Sequence, residues 1–215
     1  MAATKKHTHL INNRSQQLHL PPSILYYYMK PLEELFINDF KDVCPEISAI
    51  QCANYAEGCA VALEEQGHQT PTELLVDGDF PRKYSLLWNK PLSKRGWREP
   101  NDLAHFGALA IAFHLTTKLT EYQVVMQARI VVMQARIGKG GFDYYLGYKE
   151  GHPKYDPDNF MNARLEISGT NKGVKALTAR VREKIEQVKP SDSWNIPAYI
   201  AVTDFSKPIT FIKKK

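Results

Sequence analysis

The sequence predicts an α/β fold, with a helical N-terminal region ahead of a sheet core, from three observations. A helix with apolar residues at helical spacing on both sides occupies 102–119. β-rich runs follow in the duplicated region 124–137 and at 142–148 and 163–168, and an amphipathic helix over 174–188 leads to further strands at 197–203 and 209–212. At 215 residues, 43% hydrophobic and 24% charged, the chain suits one globular domain with an extension and excludes collagen, coiled coil and wholesale disorder.

No membrane or export role is expected. The longest nearly apolar stretch, Phe106 to Leu115, falls well short of the roughly 20 residues a membrane helix needs. The opening MAATKKHTHL lacks the hydrophobic core of a secretory signal. Cys44, Cys52 and Cys59, an odd number in one short region, fit a reducing cytoplasm and small buried groups better than a disulfide framework. The net charge of +5 is an effect of the tails, where Lys5, Lys6, Lys213, Lys214 and Lys215 stand. Residues 1–100 carry −1 and residues 101–215 carry +6, so a polyanion site belongs in the second half.

Residues 1–20 are polar and aperiodic and read as an arm, in which His7 and His9 lack a third metal ligand. The apolar spacing of Ile24, Tyr27, Leu32, Leu35 and Phe36 predicts a helix from Pro22 to about Phe40, kinked at Pro31, with Tyr26, Tyr27 and Tyr28 used for packing. Pro45 and Gly67 bracket a second helix over 46–66, whose face is Ile47, Ile50, Cys52, Tyr55, Cys59 and Leu63. A β-hairpin follows, Thr72–Val76 and Lys83–Trp88 around Asp77-Gly78-Asp79, where turn chemistry accounts for both acids without a metal. Residues 21–100 thus form a helical region with a hairpin packed on a core at 101–215. Asn101 or Asp102 can cap the helix to Leu119, which is apolar on both sides and therefore buried. His105 and His114 read as core or boundary groups.

Residues 124–130 and 131–137 are both VVMQARI. Seven is odd, so the second copy reverses every side chain in a strand, and one straight amphipathic strand cannot hold both without a bulge or loop. One copy is expected in the strand before Gly138, the other displaced.

From 102 onward the order is α-β-β-β-α-β, with Asp143 in GGFDYYLG at the second strand and Glu166 in ARLEISG on the third. This resembles the PD-(D/E)xK restriction-endonuclease-like superfamily over roughly residues 102–205. The resemblance implies that Asp143 and Glu166 hold Mg²⁺ near a scissile phosphate, and that a lysine two residues after the second acid helps to activate water. Here Ser168 takes that lysine position and Phe142 replaces the proline expected before the first acid. The chemistry is coherent, because Mg²⁺ prefers carboxylate oxygens, keeps several waters and lowers the pKa of a bound one. Lys149, in period-two register with Asp143, and Lys172, in the turn after the third strand, are the candidate substitute lysines. Glu99 and Asp102 are candidates for a distal carboxylate. The plainer reading has Asp143 fixing a loop and Glu166 facing solvent.

Lys175, Arg182 and Lys189 recur every seven residues on the 174–188 helix and its end, a face able to track nucleic-acid phosphates or simply to meet water. No zinc finger, P-loop, dinucleotide fingerprint or G-x-S-x-G turn is present in the sequence. The leading expectation is a Mg²⁺-dependent nuclease of DNA processing or defence. The competing one is a catalytically silent module that keeps the fold and binds a protein or nucleic acid.

Overall fold

The strands are β1 (Glu33–Phe36), β2 (Thr72–Gly78), β3 (Arg82–Leu87), β4 (Tyr122–Gln127), β5 (Tyr144–Tyr148), β6 (Ala163–Thr170), β7 (Ala198–Asp204) and β8 (Ile209–Lys214). These eight strands join in one sheet in the order β1-β3-β2-β8-β7-β6-β5-β4; burial alternates with period two along β2, β3 and β8, whereas β5, β6 and β7 are buried almost throughout. Three α-helices cover the sheet: α1 (Ala49–Glu65), α2 (Pro100–Leu119) and α3 (Val174–Val188), the last running into a 3₁₀ turn at Lys189–Trp194. The computed structural model describes residues 31–92, 96–97, 99–127, 141–159 and 161–215, which from Leu32 onward form one unit.

β4, β5 and β6 make an antiparallel meander, α3 carries the chain over to β7 parallel to β6, and β8 returns antiparallel. All seven residues of β7 are buried, as a strand covered on both faces requires. One core cluster joins α1 and α2 to one face of the sheet through Leu165, Ile167, Tyr199 and Ala201. A smaller one joins α3 to the other face through Leu177, Val181, Val188, Ile200 and Val202. The result is a helix–sheet–helix sandwich.

Small residues set how closely the helices approach. A Cβ on Gly107 would lie 3.0 Å from Cys59 Cα, and one on Gly58 would lie 3.1 Å from Phe106 Cβ, so α1 and α2 nearly touch backbones at their crossing. A Cβ on Gly169 would fall 1.8 Å from the Ala104 carbonyl oxygen. Only glycine permits β6 to lie against the first turns of α2, the contact that brings His105 toward the sheet.

Several expectations change. The segment at 33–36 is a strand paired in parallel with β3, with Leu35 and Ile37 turned into the core and Phe36 outward. The 3 and 4 spacing of Leu32, Leu35 and Phe36 imitates a helix, but pairing with an open sheet edge decides the outcome. Residues 1–30, including His7, His9 and Tyr26–Tyr28, lie outside the described residues. The hairpin is not a separate layer packed on the core; β2 pairs in parallel with β8, so the N-terminal half extends the same sheet. Ile50, assigned to the buried face of the second helix, is 83% exposed. Pro100 rather than a polar cap opens α2, its missing N–H costing nothing at a first helical turn. β4 holds residues 124–127 of the first VVMQARI copy, with a bulge between Val124 and Met126. The second copy lies outside the described residues.

Candidate functional site

Strand register brings the two acids together. Tyr144 pairs with Leu165 and Tyr145 with Arg164, so one step back Asp143 stands opposite Glu166, on the face that α3 covers. The ladder begins only at Tyr144, and the Asp143 side chain completes it. The backbone N–H of Asp143 donates to Leu165 O at 2.9 Å, and its carboxylate Oδ2 accepts from Ile167 N at 2.7 Å, which grips the peptide units on both sides of Glu166. Gly141 N donates to Gln187 O at 3.1 Å and ties the approach to Asp143 to the end of α3.

Glu166 is fully buried. Its Oε1 accepts from Lys184 Nζ at 2.5 Å, and Lys184 also donates to Gln187 Oε1 at 2.9 Å. Glu166 Oε2 is buried with no hydrogen-bond partner among the described residues. On the opposite face His105 of α2 lies within electrostatic reach of Asp143 and Lys184. The constellation is therefore two adjacent carboxylates, one ammonium and one imidazole, supplied by β5, β6, α3 and α2.

Burial dominates the electrostatics. It pushes the Glu166 carboxyl up to about 8, with Asp143 adding to the rise, against the pull of Lys184 and Gln187. Burial likewise raises Asp143, opposed by the Ile167 N–H, His105 and Lys184. Burial lowers His105 despite the nearby Asp143, which favours the neutral imidazole. Each carboxyl is thus held above its ordinary range by burial, and the charge on Asp143 makes ionisation of Glu166 harder still.

The lysine that meets Glu166 is Lys184, and neither Lys149 nor Lys172 lies beside the acid pair. Lys149 stands just past the far end of β5, where its Nζ donates to Thr117 O at 2.5 Å and Thr120 O at 2.7 Å and closes the C-terminus of α2. Period-two register with Asp143 kept it on one face but could not shorten the six residues between them, roughly 20 Å of strand. Lys172 is exposed in the turn beyond β6, roughly 13 Å of strand past Glu166 at Thr170. Lys184 was missed because it sits on a helix distant in sequence. Its signal was legible, since it falls at 3 and 4 spacing between Val181 and Val188 on the buried stripe of α3, where a lysine needs a partner.

Glu99 is the residue preceding α2 and Asp102 lies in its first turn, both exposed; Asp102 acts on His105 rather than on the acid pair. Lys175, Arg182 and Lys189 are all exposed, and Lys189 pairs with Glu186 at 2.5 Å. Asp77 accepts from Gly78 N at 2.7 Å and Asp79 holds Lys213 at 2.9 Å, so both serve the turn and its neighbouring strand. His114 lies in the core between the carbonyl oxygens of Ala110 at 2.8 Å and Asp39 at 3.0 Å. Among the described residues no group of three or more His, Cys, Asp or Glu side chains is arranged around one metal position.

No protein-family model matches this chain, and no curated protein and no solved structure matches it either.

Proposed function

We propose that this protein is a divalent-metal-dependent phosphodiesterase of the PD-(D/E)xK restriction-endonuclease-like kind, acting on nucleic acid. The observation that carries the reading is the pairing of Asp143 with Glu166 across β5 and β6, with Lys184 against one Glu166 oxygen and the other buried and unpartnered. The element order α2-β4-β5-β6-α3-β7 supports it. So does Lys184, which offers Glu166 the ammonium that Ser168 lacks.

The donor set fits Mg²⁺. Two carboxylates supply hard oxygens, the orphaned Glu166 Oε2 is a buried acceptor awaiting a cation or donor, and Mg²⁺ needs only one or two protein carboxylates beside its waters. Zinc, which takes three or four nitrogen, sulfur or oxygen ligands, finds no such set among the described residues. When bound, Mg²⁺ supplies Lewis-acid polarisation of a phosphoryl oxygen and a water of lowered pKa. Asp143, partly exposed and fixed by Ile167 N, and Glu166, buried beneath it, would hold the ion. Lys184, oriented by Gln187, places positive charge where a phosphate becomes more negative in the transition state. His105, on the opposite face of the sheet but within electrostatic reach of Asp143, is kept toward its neutral form by burial and is a candidate proton acceptor.

Calorimetric titration of Mg²⁺ or Mn²⁺ into wild type, Asp143→Asn and Glu166→Gln, with cleavage of mixed DNA and RNA followed in parallel, tests the proposal. It expects binding and cleavage in wild type, and loss of both in the two variants without loss of folding. A second reading, a catalytically silent module that binds a protein or nucleic acid, draws on one observation: Glu166 already has Lys184 as its counter-ion while Ser168 holds the lysine position. Absence of metal binding in wild type would move the assignment there.

A further inference from the structure

Beside the acid pair lies an aromatic group that neither core nor mechanism accounts for. Trp194, the last residue of the 3₁₀ turn, is 41% exposed although it is a large apolar side chain. Its ring lies parallel to Tyr145, with centroids 6.1 Å apart and planes 11° from each other. Phe142 meets both rings edge-on, at 5.6 Å from Trp194 and 4.9 Å from Tyr145. The indole is thus held from beneath and from the side. Asn195, in the left-handed conformation at φ 55°, ends the turn immediately after it.

Its place on the sheet matters most. Tyr145 follows Asp143 by two residues on the same face of β5, roughly 7 Å along the strand, and Phe142 directly precedes Asp143. Lysines stand at the turn. Lys189 opens it, exposed and paired with Glu186, and Asp192 within it is bound by the buried Arg164 and by Lys215, leaving that second cluster with two positive groups to one negative. A rigid, half-exposed indole backed by a second aromatic, flanked by lysines and one strand step from a phosphate-type site has the composition of a single-strand binding surface. There a base stacks on the ring and the backbone follows the charge.

We infer that Trp194, supported by Tyr145 and Phe142, is a stacking platform for an unpaired nucleobase next to the phosphodiester held at Asp143 and Glu166, so that the substrate class is single-stranded nucleic acid. The position of the phosphate rests on the proposed function; the platform itself does not. A duplex keeps its bases stacked on one another and offers the indole nothing except at an end.

The test measures affinity of the full chain, in metal-free buffer, for three fluorescently labelled probes: a short oligothymidylate, an abasic strand of equal length and a blunt duplex. Wild type should bind the oligothymidylate best, Trp194→Ala should weaken it on the order of 5- to 100-fold, and Trp194→Phe should retain most of the affinity. The abasic strand should bind weakly and equally to all three proteins. Equal affinity of wild type and Trp194→Ala for oligothymidylate overturns the inference, as does equal binding of abasic and base-bearing strands, or no oligonucleotide binding by wild type. Cleavage with added Mg²⁺ separates the two ideas. Trp194-dependent binding without cleavage removes the nuclease and leaves the platform, whereas cleavage with affinity indifferent to Trp194 does the reverse.

Discussion

Replacing Glu166 by glutamine should make the protein more stable at alkaline pH, by an amount that its surroundings fix. The folded state holds a proton on Glu166 up to about pH 8, against an ordinary value of 4.5, because the carboxyl is buried and faces Asp143. The folded form therefore binds the proton more tightly than the unfolded chain. Stability from this group is fully present below about pH 4.5 and is lost as pH rises through about 8. At about 1.4 kcal/mol per pH unit the whole span is on the order of 5 kcal/mol, of which about 2 kcal/mol falls between pH 6.5 and 9. That window avoids His105 and His114, whose burial places their effects below their usual 6.5. The glutamine side chain of the Glu166→Gln variant has no proton to lose, and its amide oxygen can still accept from Lys184. Urea denaturation across pH 6.5 to 9 should thus show wild type losing about 2 kcal/mol more than Glu166→Gln, with tyrosine and thiol ionisation cancelling between the two. On the proposed metal reading, millimolar Mg²⁺ should restore wild type at pH 9 and leave the variant unchanged, since the site would hold the cation through an ionised Glu166. Parallel stability curves for the two proteins would show that Glu166 is ionised throughout, and the argument from burial would fail.

Other expectations test the frame around this site. Gly169→Ala places a methyl 1.8 Å from the Ala104 carbonyl oxygen, a backbone clash with no rotamer escape, and should cost about 3 kcal/mol or more in urea denaturation. Lys149→Met should cost roughly 1–2 kcal/mol by opening the C-terminus of α2, and calorimetry should find metal binding unchanged. Lys184→Met leaves Glu166 without a counter-ion, which should raise its pKa further and move the pH at which Mg²⁺ binding sets in upward; carboxyl titration by isotope-edited NMR reads both.

Much of this protein is legible in the residues alone, and the division follows the range of the interactions. The helix at 174–188, the hairpin around Asp77-Gly78-Asp79 and the buried helix ending at Leu119 follow from local periodicity and turn chemistry, and the structure reproduces them within a few residues. Asp143 and Glu166 stood out through the resemblance that the order of elements carried, as acids at the second and third strands after the buried helix. Residues 33–36 went astray because four residues have no settled preference until an edge such as β3 offers hydrogen bonds. Nothing local indicated that β2 would join β8 and merge the two halves of the chain into one sheet.

The site divides in the same way. Sequence by itself determined which residue types were available: two carboxylates, an excess of lysine in the second half and a buried helix carrying His105. It could place Lys149 in phase with Asp143, but phase along a strand says nothing about distance from a partner on another element. Only tertiary structure chose Lys184, because the crossover of α3 between β6 and β7 lays that helix over Glu166. Only tertiary structure brought α2 close enough for His105, through the missing side chain of Gly169. Local chemistry specifies the elements, whereas desolvation and charge pairing arise where elements far apart in sequence exclude water together.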